Sequence, residues 1–418
     1  MKNYLIPALL LCNLAFAQGA DSPSVEEKLT AAVEQQRLAL HYDQTTFSGP
    51  AWDRLVAEGR AAKFFLLGEE HGIAENPQLA GQLFVELSAA GYSRFVIEIS
   101  PTMATILDQA AADGGLDGLR RLFAEPGGAP AFYGMREEAE MLATIRASQP
   151  GDDTVFWGTD YEVLGDRQLL KILVAAEKPA AAEAALDNVL AVVNEMWGRY
   201  EETKNPQYIF SFAGDPALIR AVRNAWPDAD ERSDRILNTL EETLTINQFW
   251  AQGKGWESNS RRASLQRENF LSYWRAATAN GDSPRLMAKF GASHLVRGLS
   301  QTAVFDLGTL LPEIAATEGG QTVSLLVLPG PGTDVAALNP ATLGYEPQPV
   351  SGGYTKGLKP LIDAALPNEF TLIDLEPLRP IVGMNRGTLN DELFRVIHSF
   401  DLLLVMSGST ASGNLVSD

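Results

Sequence analysis

The segment FFLLGEEHG, residues 64–72, decides the predicted fold, because it joins a short apolar run directly to a group of charged side chains. The run from Lys63 to Leu67 is typical of a strand that is buried on both faces of a sheet. A helix follows, with Pro77 near its start and Gly91 after its end, as helix punctuation requires. In an open parallel sheet, polar residues at the carboxyl end of a strand lie where ligands bind. The segment therefore predicts a parallel sheet and a functional site at its edge.

The same alternation of strand and helix continues along the chain and predicts an α/β fold, with a mainly parallel sheet flanked by helices. Amphipathic stretches with almost no strand signal interrupt it, which predicts a large all-helical insertion at about residues 166–280. Residues 18–418 are expected to form a single domain around this insertion. The predicted strands are Lys63–Leu67, Arg94–Ile99, Thr154–Trp157, Arg285–Phe290, Thr322–Leu328, Glu369–Ile373 and Asp401–Met406.

The remaining segments are expected to add little to the sheet. Val25–Leu38 is predicted to be helical, and His41 and His398 are assigned to helical stretches as surface or core residues. The Pro/Gly-rich chain from residue 328 to about residue 354 is predicted to be irregular. The Ser/Gly-rich tail from Ser407 is predicted to be frayed.

The first 17 residues have the pattern of a secretory signal peptide. Lys2 supplies the positive charge, an apolar run follows, and Ala15 and Ala17 form a small-x-small cleavage site. Cys12 raises the alternative of a lipoprotein, but Leu11 occupies the preceding position, where a small residue is expected. Cleavage after Ala17 is the favoured reading, and the mature chain would then contain no cysteine. We therefore expect an exported protein, periplasmic or secreted.

The composition of the chain limits the classes of partner that it is expected to bind. The chain of 418 residues has a formal net charge of −20, which disfavours binding to nucleic acids. No stretch after the leader is long and apolar enough to predict a span of the membrane. A hydrophobic fraction of 45% and a charged fraction of 21% are ordinary values for a globular protein. A small-molecule substrate is therefore the expected partner, and the sequence does not predict the oligomeric state.

Polar side chains follow several of the predicted strands. Glu69 and His71 follow the first, Glu98 ends the second, Asp160 follows the third, and His294 follows the strand that contains Lys289. Two of the four histidines thus fall at the same predicted edge of the sheet as the carboxylates. We interpret this convergence as a candidate active site.

Structural roles are the alternatives for the same residues. Asp160 can cap the next helix, Lys289 can lie in solvent, and Glu70 fits a solvated or helix-capping charge best. Glu98 is different, because it lies within an apolar run and a buried carboxylate requires a partner.

The chemistry that this set of side chains suits is the activation of water. The motifs G-x-S-x-G, G-x-x-x-x-G-K-[ST], G-x-G-x-x-G and H-E-x-x-H are all absent from the sequence. A histidine oriented by a carboxylate can take a proton from water, and a second imidazole can stabilise the oxyanion or protonate the leaving group. Histidines with carboxylates can equally hold a divalent metal such as Zn or Mn.

Short patches in the same order resemble the erythromycin esterase-like family, within a wider superfamily that includes ChaN-type haem-binding proteins and Tiki proteases. The patches are LLGEEHG (66–72) with Glu75, the strand ending at Glu98, GTD (158–160), REN (267–269), KFGASH (289–294), LGTL (307–310) and FDLLL (400–404).

The resemblance implies an esterase that needs no metal, with His71 as the general base and His294 as the second histidine. It implies catalytic roles for the carboxylates, and we expect three further residues to contact substrate. The implied carboxylates are Glu69, Glu75 and Glu98, and the substrate contacts are Asp160, Lys289 and Arg267.

The spacing of the first motif differs from that of the esterases, so two other functions remain as alternatives. The esterases usually have one more residue between the Glu and the His of the first motif, whereas only Glu70 separates Glu69 from His71 here, as in ChaN-like and Tiki-like members. A metal-dependent hydrolase or peptidase with Glu69, His71, Glu98 and His294 as ligands is one alternative. A non-enzymatic periplasmic haem- or ligand-binding protein is the other. The substrate is not predicted.

Overall fold

The computed structural model describes residues 23–416, except residues 152, 351–355 and 368. The predicted signal peptide, including Cys12, lies outside the described residues. The strands are β1 (Arg37–Tyr42), β2 (Phe47–Ser48), β3 (Phe64–Glu69), β4 (Tyr92–Ile97), β5 (Phe156–Gly158), β6 (Arg285–Gly291), β7 (Thr322–Pro329), β8 (Asp334–Leu338), β9 (Tyr345–Pro349), β10 (Phe370–Asp374) and β11 (Leu402–Met406).

Helices connect most of the strands, and their ends carry the expected capping residues. Ser100, for example, accepts a hydrogen bond from the backbone of Met103, and Pro101 occupies the first turn of that helix. The helices are α1 (Val25–Gln35), α2 (Pro50–Ala61), α3 (Glu75–Ser88), α4 (Pro101–Phe123), α5 (Arg136–Ser148), α6 (Asp166–Ala175), α7 (Ala180–Thr203), α8 (Phe210–Ala213), α9 (Pro216–Ala225), α10 (Glu231–Ala251), α11 (Gly255–Ala279), α12 (Leu307–Thr317), α13 (Lys359–Ile362), α14 (Arg379–Met384) and α15 (Asp391–Ser399).

The described strands form a nine-stranded sheet in the order β2-β1-β10-β11-β7-β3-β6-β4-β5, beside a separate β8-β9 hairpin. The six strands from β11 to β5 in this order are parallel to one another, whereas β10 is antiparallel to β11. The strand β3 lies between β7 and β6, and all of its residues are buried. A central parallel strand is covered on both faces, which explains its continuous apolar sequence. The predicted mainly parallel α/β fold is confirmed.

Two apolar layers cover the sheet. One contains Leu55, Leu83, Met103 and Leu142, from the helices α2 to α5. The other contains residues from α1, α11 and α12, and from the helices near the end of the chain. A third cluster, which includes Trp197, belongs to the helices α6 to α10. The predicted all-helical insertion is therefore present and has a core of its own.

Several local predictions are wrong. His41 lies in β1 rather than in a helix, because the lead-in helix ends at Gln35 and the chain continues as an antiparallel strand against β10. Part of the segment predicted to be irregular forms the β8-β9 hairpin. The tail after Ser407 is held in place, since Ala411 and Asn414 form bridges to Ile73 and Met135. Backbone pairing with distant segments replaces the local signals for β1 and for the tail, and pairing between neighbouring strands does so for the β8-β9 hairpin.

Among the helices of the described segments, none combines the length and the apolar composition that crossing a membrane requires.

Candidate active site

The carboxyl ends of four adjacent parallel strands, β3, β6, β4 and β5, bring the predicted site residues together. Glu69 is the last residue of β3, and Glu98 follows β4 directly. Asp160 lies just beyond β5, and His294 lies in a turn of 3₁₀ helix after β6. We refer to the interacting side chains at this edge as the rim cluster.

Glu69 and His71 form the first carboxylate–imidazole pair of the rim cluster. Glu69 Oε1 is 2.8 Å from His71 Nδ1, and the other oxygen accepts a hydrogen bond from Asn76. An ionised carboxylate can only accept, so His71 Nδ1 carries the hydrogen and Nε2 is the free nitrogen. Glu69 is 4% exposed, so its carboxylate is shielded from bulk water, whereas the ring of His71 is partly exposed.

Lys289 compensates the buried charge of Glu69. Its ammonium donates to Glu69 Oε1 and to Glu138 Oε1, each at 2.6 Å, and its side chain is 3% exposed. Burial raises the pKa of Glu69, but Lys289 and His71 outweigh it and hold that pKa below its ordinary value. Burial raises the pKa of Glu138 to about 7, and the charge of Glu69 adds to this in spite of Lys289.

His294 and Asp306 form the second pair. The distance from His294 Nδ1 to Asp306 Oδ2 is 2.7 Å, so Nδ1 donates and Nε2 is free, as in His71. Asp306 also accepts a hydrogen bond from the backbone of Leu307 at the start of α12, which fixes the carboxylate. The two pairs thus present equivalent nitrogen atoms.

Both free nitrogen atoms point to Glu98. His71 Nε2 is 3.7 Å from Glu98 Oε2, and His294 Nε2 is 3.4 Å from Glu98 Oε1. Glu98 also accepts hydrogen bonds from Arg262 and from the backbone of Gly291, both at 2.6 Å. Glu98 therefore lies at the centre of the rim cluster and orders the groups around it.

Charges within the rim cluster shift the pKa values of these groups. Burial raises the pKa of Glu98, but His294, His71 and Arg262 outweigh it and lower that pKa to about 2. Burial lowers the pKa of His71, but its hydrogen bond to Glu69 and the charge of Glu98 bring it above the ordinary imidazole value. Burial and Arg262 lower the pKa of His294, but Glu98 and Asp306 reverse this and raise it. Glu98 thus remains ionised, and both imidazoles bind a proton more tightly than in water.

Arg262, on α11, ties the rim cluster to the helical insertion. Its Nε lies 3.0 Å from Asp160 Oδ1, while its Nη2 contacts both Asp160 and Glu98. Gln266, one turn further along α11, donates to Asp160 at 2.8 Å. Asp160 therefore positions Arg262 rather than capping a helix.

Two glycines permit the close approach of backbone segments at the rim cluster. Gly72 has φ +90°, and a Cβ there would lie 2.1 Å from the carbonyl oxygen of Ala336 in β8. Gly291 has ordinary backbone angles, but a Cβ there would lie 3.0 Å from His71 Nε2. Gly72 thus permits the close approach of its loop to β8, and Gly291, the last residue of β6, keeps the space beside His71 Nε2 open.

Phe132 covers one face of His71. The two rings are stacked with centroids 4.0 Å apart and an interplanar angle of 17°. Phe132 has φ +66°, an unfavourable region for a bulky residue, and its N–H donates to the hydroxyl of Tyr345 in β9. The β8-β9 hairpin therefore helps to hold the ring against His71.

Two of the predicted site residues, Glu75 and Arg267, bond to parts of the chain outside the rim cluster, whereas Lys289 is bonded to Glu69 within it. Both carboxylate oxygens of Glu75 accept hydrogen bonds from Thr410, so this side chain fastens the tail of the chain. Arg267 bonds to Ala263 and Ser264 of its own helix. Lys289 is buried between carboxylates instead of facing solvent. The functional roles assigned to all three remain predictions.

Sequence reasoning missed other members of the rim cluster. Glu138 and Arg262 lie on helices, where charged residues are normally solvated, and Asp306 resembles an ordinary helix cap. Asn76 and Phe132 carry no sequence signal of their own. The one signal that existed was the buried charge of Glu98, which requires a cationic partner from elsewhere in the chain.

The side chains of the rim cluster do not fit a divalent cation. The four side chains of the alternative ligand set, Glu69, His71, Glu98 and His294, are already engaged with one another, with Asp306, or with Lys289 and Arg262. These two cations occupy the space beside the carboxylates that a metal would need. Within the described residues, no group of three or more His, Cys, Asp or Glu side chains is arranged to hold a metal ion. Metal dependence remains a prediction to be tested.

Comparisons with known proteins identify the fold. No protein-family model and no curated protein matches the sequence. A Bacillus cereus protein of known structure has a TM-score of 0.57 and 12% identity, covering 94% of this chain and 100% of its own. A succinoglycan biosynthesis protein has a TM-score of 0.56 and 13% identity, covering 94% and 99%.

A third solved structure is a mutant of the erythromycin esterase EreC in its open conformation. Its TM-score is 0.54 with 14% identity, and the match covers 87% of this chain and 94% of that one. At such identities the likeness concerns the fold, and it does not transfer an activity. The resemblance stated from the sequence is confirmed at the level of the fold, which this chain shares with erythromycin esterase.

Proposed function

We propose that this protein is a hydrolase that activates water at the rim cluster and cleaves an ester bond. The observation that supports the proposal is the convergence of the free Nε2 atoms of His71 and His294 on Glu98. Each imidazole is oriented by its own carboxylate, as a general acid or base requires. The fold shared with erythromycin esterase adds support from analogy.

The proposed reaction begins at His71. Its Nε2 takes a proton from a water molecule, and the water oxygen bonds to the carbonyl carbon of the ester. The carbonyl electron pair moves to oxygen, where a protonated His294 stabilises the oxyanion. When the intermediate collapses, the bond from carbon to the alcohol oxygen breaks. The leaving oxygen takes a proton from His294, and an acid and an alcohol are released.

The carboxylates give each imidazole its role. Glu69 and Asp306 accept from the Nδ1 atoms and thereby fix which nitrogen reacts. Glu98 stabilises the imidazolium that forms when His71 takes the proton. Because the pKa of His71 is raised, we expect kcat/KM to increase with pH as His71 loses its proton, on a limb above the ordinary imidazole value.

The test is an ester-substrate screen of the wild type, His71→Ala and His294→Ala, each with and without a chelator. Loss of a general base or acid reduces kcat by roughly 10²–10⁴-fold. His41→Ala is the matched control, because His41 is exposed on β1, and the strands β10, β11 and β7 separate β1 from β3 in the sheet. We expect the control to keep wild-type turnover.

The outcomes separate the alternatives. Wild-type turnover in both His71→Ala and His294→Ala would refute the proposal. Turnover that is lost on metal removal and restored by adding the metal would favour the metal-dependent alternative instead. Export is a further part of the proposal, and the N-terminal residue of the secreted or periplasmic protein would show whether cleavage follows Ala17.

A further inference from the structure

A small cavity adjoins the rim cluster and has no role in the proton transfers described above. Its volume is about 200 Å³, and Glu98, Asp160 and Arg262 form its polar wall. The rest of the lining is mainly apolar and aromatic and includes Phe132 and Phe212. A group inside the cavity therefore lies beside Glu98, the carboxylate that the free nitrogens of both histidines face.

The size of the cavity limits what it can hold. Cavities of about 150 Å³ with apolar walls accept benzene, whereas sites for drug-sized ligands measure roughly 300–1,000 Å³. A volume of about 200 Å³ therefore suits one aromatic ring or a short branched alkyl group. A macrocycle does not fit.

Charge limits the occupant further. Arg262 is already bound to Glu98 and Asp160, so its positive charge is matched within the wall. A carboxylate or phosphate on the occupant would face two buried carboxylates without a free cation among the lining residues. An uncharged group meets no such penalty.

Phe132 links the cavity to the chemistry. One side of its ring stacks on His71, and the residue also lines the cavity. A ring that enters the cavity therefore packs against the same side chain that positions the general base. An occupant that fills the cavity therefore contacts Phe132, and Phe132 in turn holds the ring of His71 in position.

We propose that this cavity binds a compact, uncharged apolar group of the ester substrate, such as the benzyl group of a benzyl ester. The inference rests on the proposed ester hydrolysis and names its substrate class. Benzyl acetate should then be hydrolysed with a kcat/KM roughly 10- to 100-fold above that of ethyl acetate, the preference that burial of one ring supplies. Erythromycin should not be hydrolysed.

Substitution of the lining tests this preference. Ala131→Phe fills the cavity and should remove the preference for benzyl acetate while ethyl acetate is still hydrolysed. Ala129→Phe is the matched control, since the same loop carries it but it lines a different cavity. Phe212→Ala enlarges the cavity and should extend turnover to naphthylmethyl acetate, which gives a second test if Ala131→Phe does not fold.

A binding measurement separates this inference from the proposed function. Fluorine NMR with 4-fluorobenzyl alcohol reports occupancy of the cavity without any turnover. Binding to the wild type and to Ala129→Phe, with loss in Ala131→Phe, supports the inference. Hydrolysis of ethyl and benzyl acetate at equal kcat/KM, without alcohol binding, overturns the inference and leaves the proposed function intact. If the alcohol binds but no ester is hydrolysed, the proposed function is refuted. The bound group is then no longer assigned to a substrate.

Discussion

Replacing Lys289 by methionine tests whether the buried ammonium stabilises the rim cluster. The substitution keeps an unbranched side chain of similar length and removes the charge that Glu69 and Glu138 share at 2.6 Å each. Loss of one partner from a buried ion pair typically costs about 3–5 kcal/mol. We expect Lys289→Met to lower the free energy of unfolding by about that amount at pH 8.

The loss should depend on pH, with a definite sign. Without the ammonium, burial raises the folded-state pKa of Glu138 further above that of an unfolded chain, and it also raises the pKa of Glu69, which Lys289 holds low in the wild type. The folded variant then binds more protons than the unfolded chain, so its stability falls as the pH rises through those folded-state values. The gap between variant and wild type should therefore be small near pH 5 and largest at alkaline pH.

Urea denaturation at pH 5 and pH 8, followed by tryptophan fluorescence, measures both quantities. Glu138→Gln is the control, since it leaves Lys289 paired with Glu69. The pKa of Glu138 is raised to about 7, so its ionisation destabilises the folded wild type as the pH rises towards that value. Glu138→Gln should remove this part of the pH dependence without the large decrease in the free energy of unfolding that is expected for Lys289→Met. Equal urea midpoints and slopes for Lys289→Met and the wild type at pH 8 would refute the reasoning.

Three further substitutions test other parts of the structure. Asp306→Asn removes the charge that helps to raise the pKa of His294, so the alkaline limb of the kcat profile should move to lower pH. Gly291→Ala places a methyl group 3.0 Å from His71 Nε2 and should reduce kcat/KM by about 100-fold with little change in Tm; wild-type activity would contradict the assigned site. Glu75→Ala removes the acceptors of Thr410 and should lower the free energy of unfolding by about 2 kcal/mol; carboxypeptidase trimming of the tail should become faster, and an unchanged rate would contradict this role.

The central parallel strands were predictable because each one combines two strong local signals. An uninterrupted apolar run identified β3, and a mainly apolar run that contains Lys289 identified β6. The polar residues at or just after the end of each strand placed them at the rim. Glu98 was informative for the same reason, since a charge inside an apolar run demands partners. Once the strands are taken to be parallel, their carboxyl ends must lie at the same edge of the sheet. No other long-range contact is needed to predict this.

The partners of these residues could not be predicted in this way. Arg262 reaches Glu98 and Asp160 from the helical insertion, and Glu138 reaches Lys289 from α5. In the sequence these are charges on amphipathic helices, and nothing local distinguishes them from solvated ones. The same limit explains the tail, where Ser- and Gly-rich composition indicates fraying but Glu75 supplies a distant acceptor for its backbone.

Alternating charge explains how the rim cluster can keep many ionised groups buried and still act as a base. When both imidazoles are protonated, Asp306, His294, Glu98, His71 and Glu69 form a series of opposite charges in contact or near contact. Removal of a proton from His71 leaves two carboxylates facing a neutral ring, so the proton is held more tightly than in an isolated imidazole. A smaller fraction of His71 is then free at neutral pH, but each free ring is a stronger base towards water. We therefore expect the proposed hydrolysis to be faster at a pH above the ordinary imidazole pKa, and Glu98 is the group that raises the pKa of both His71 and His294.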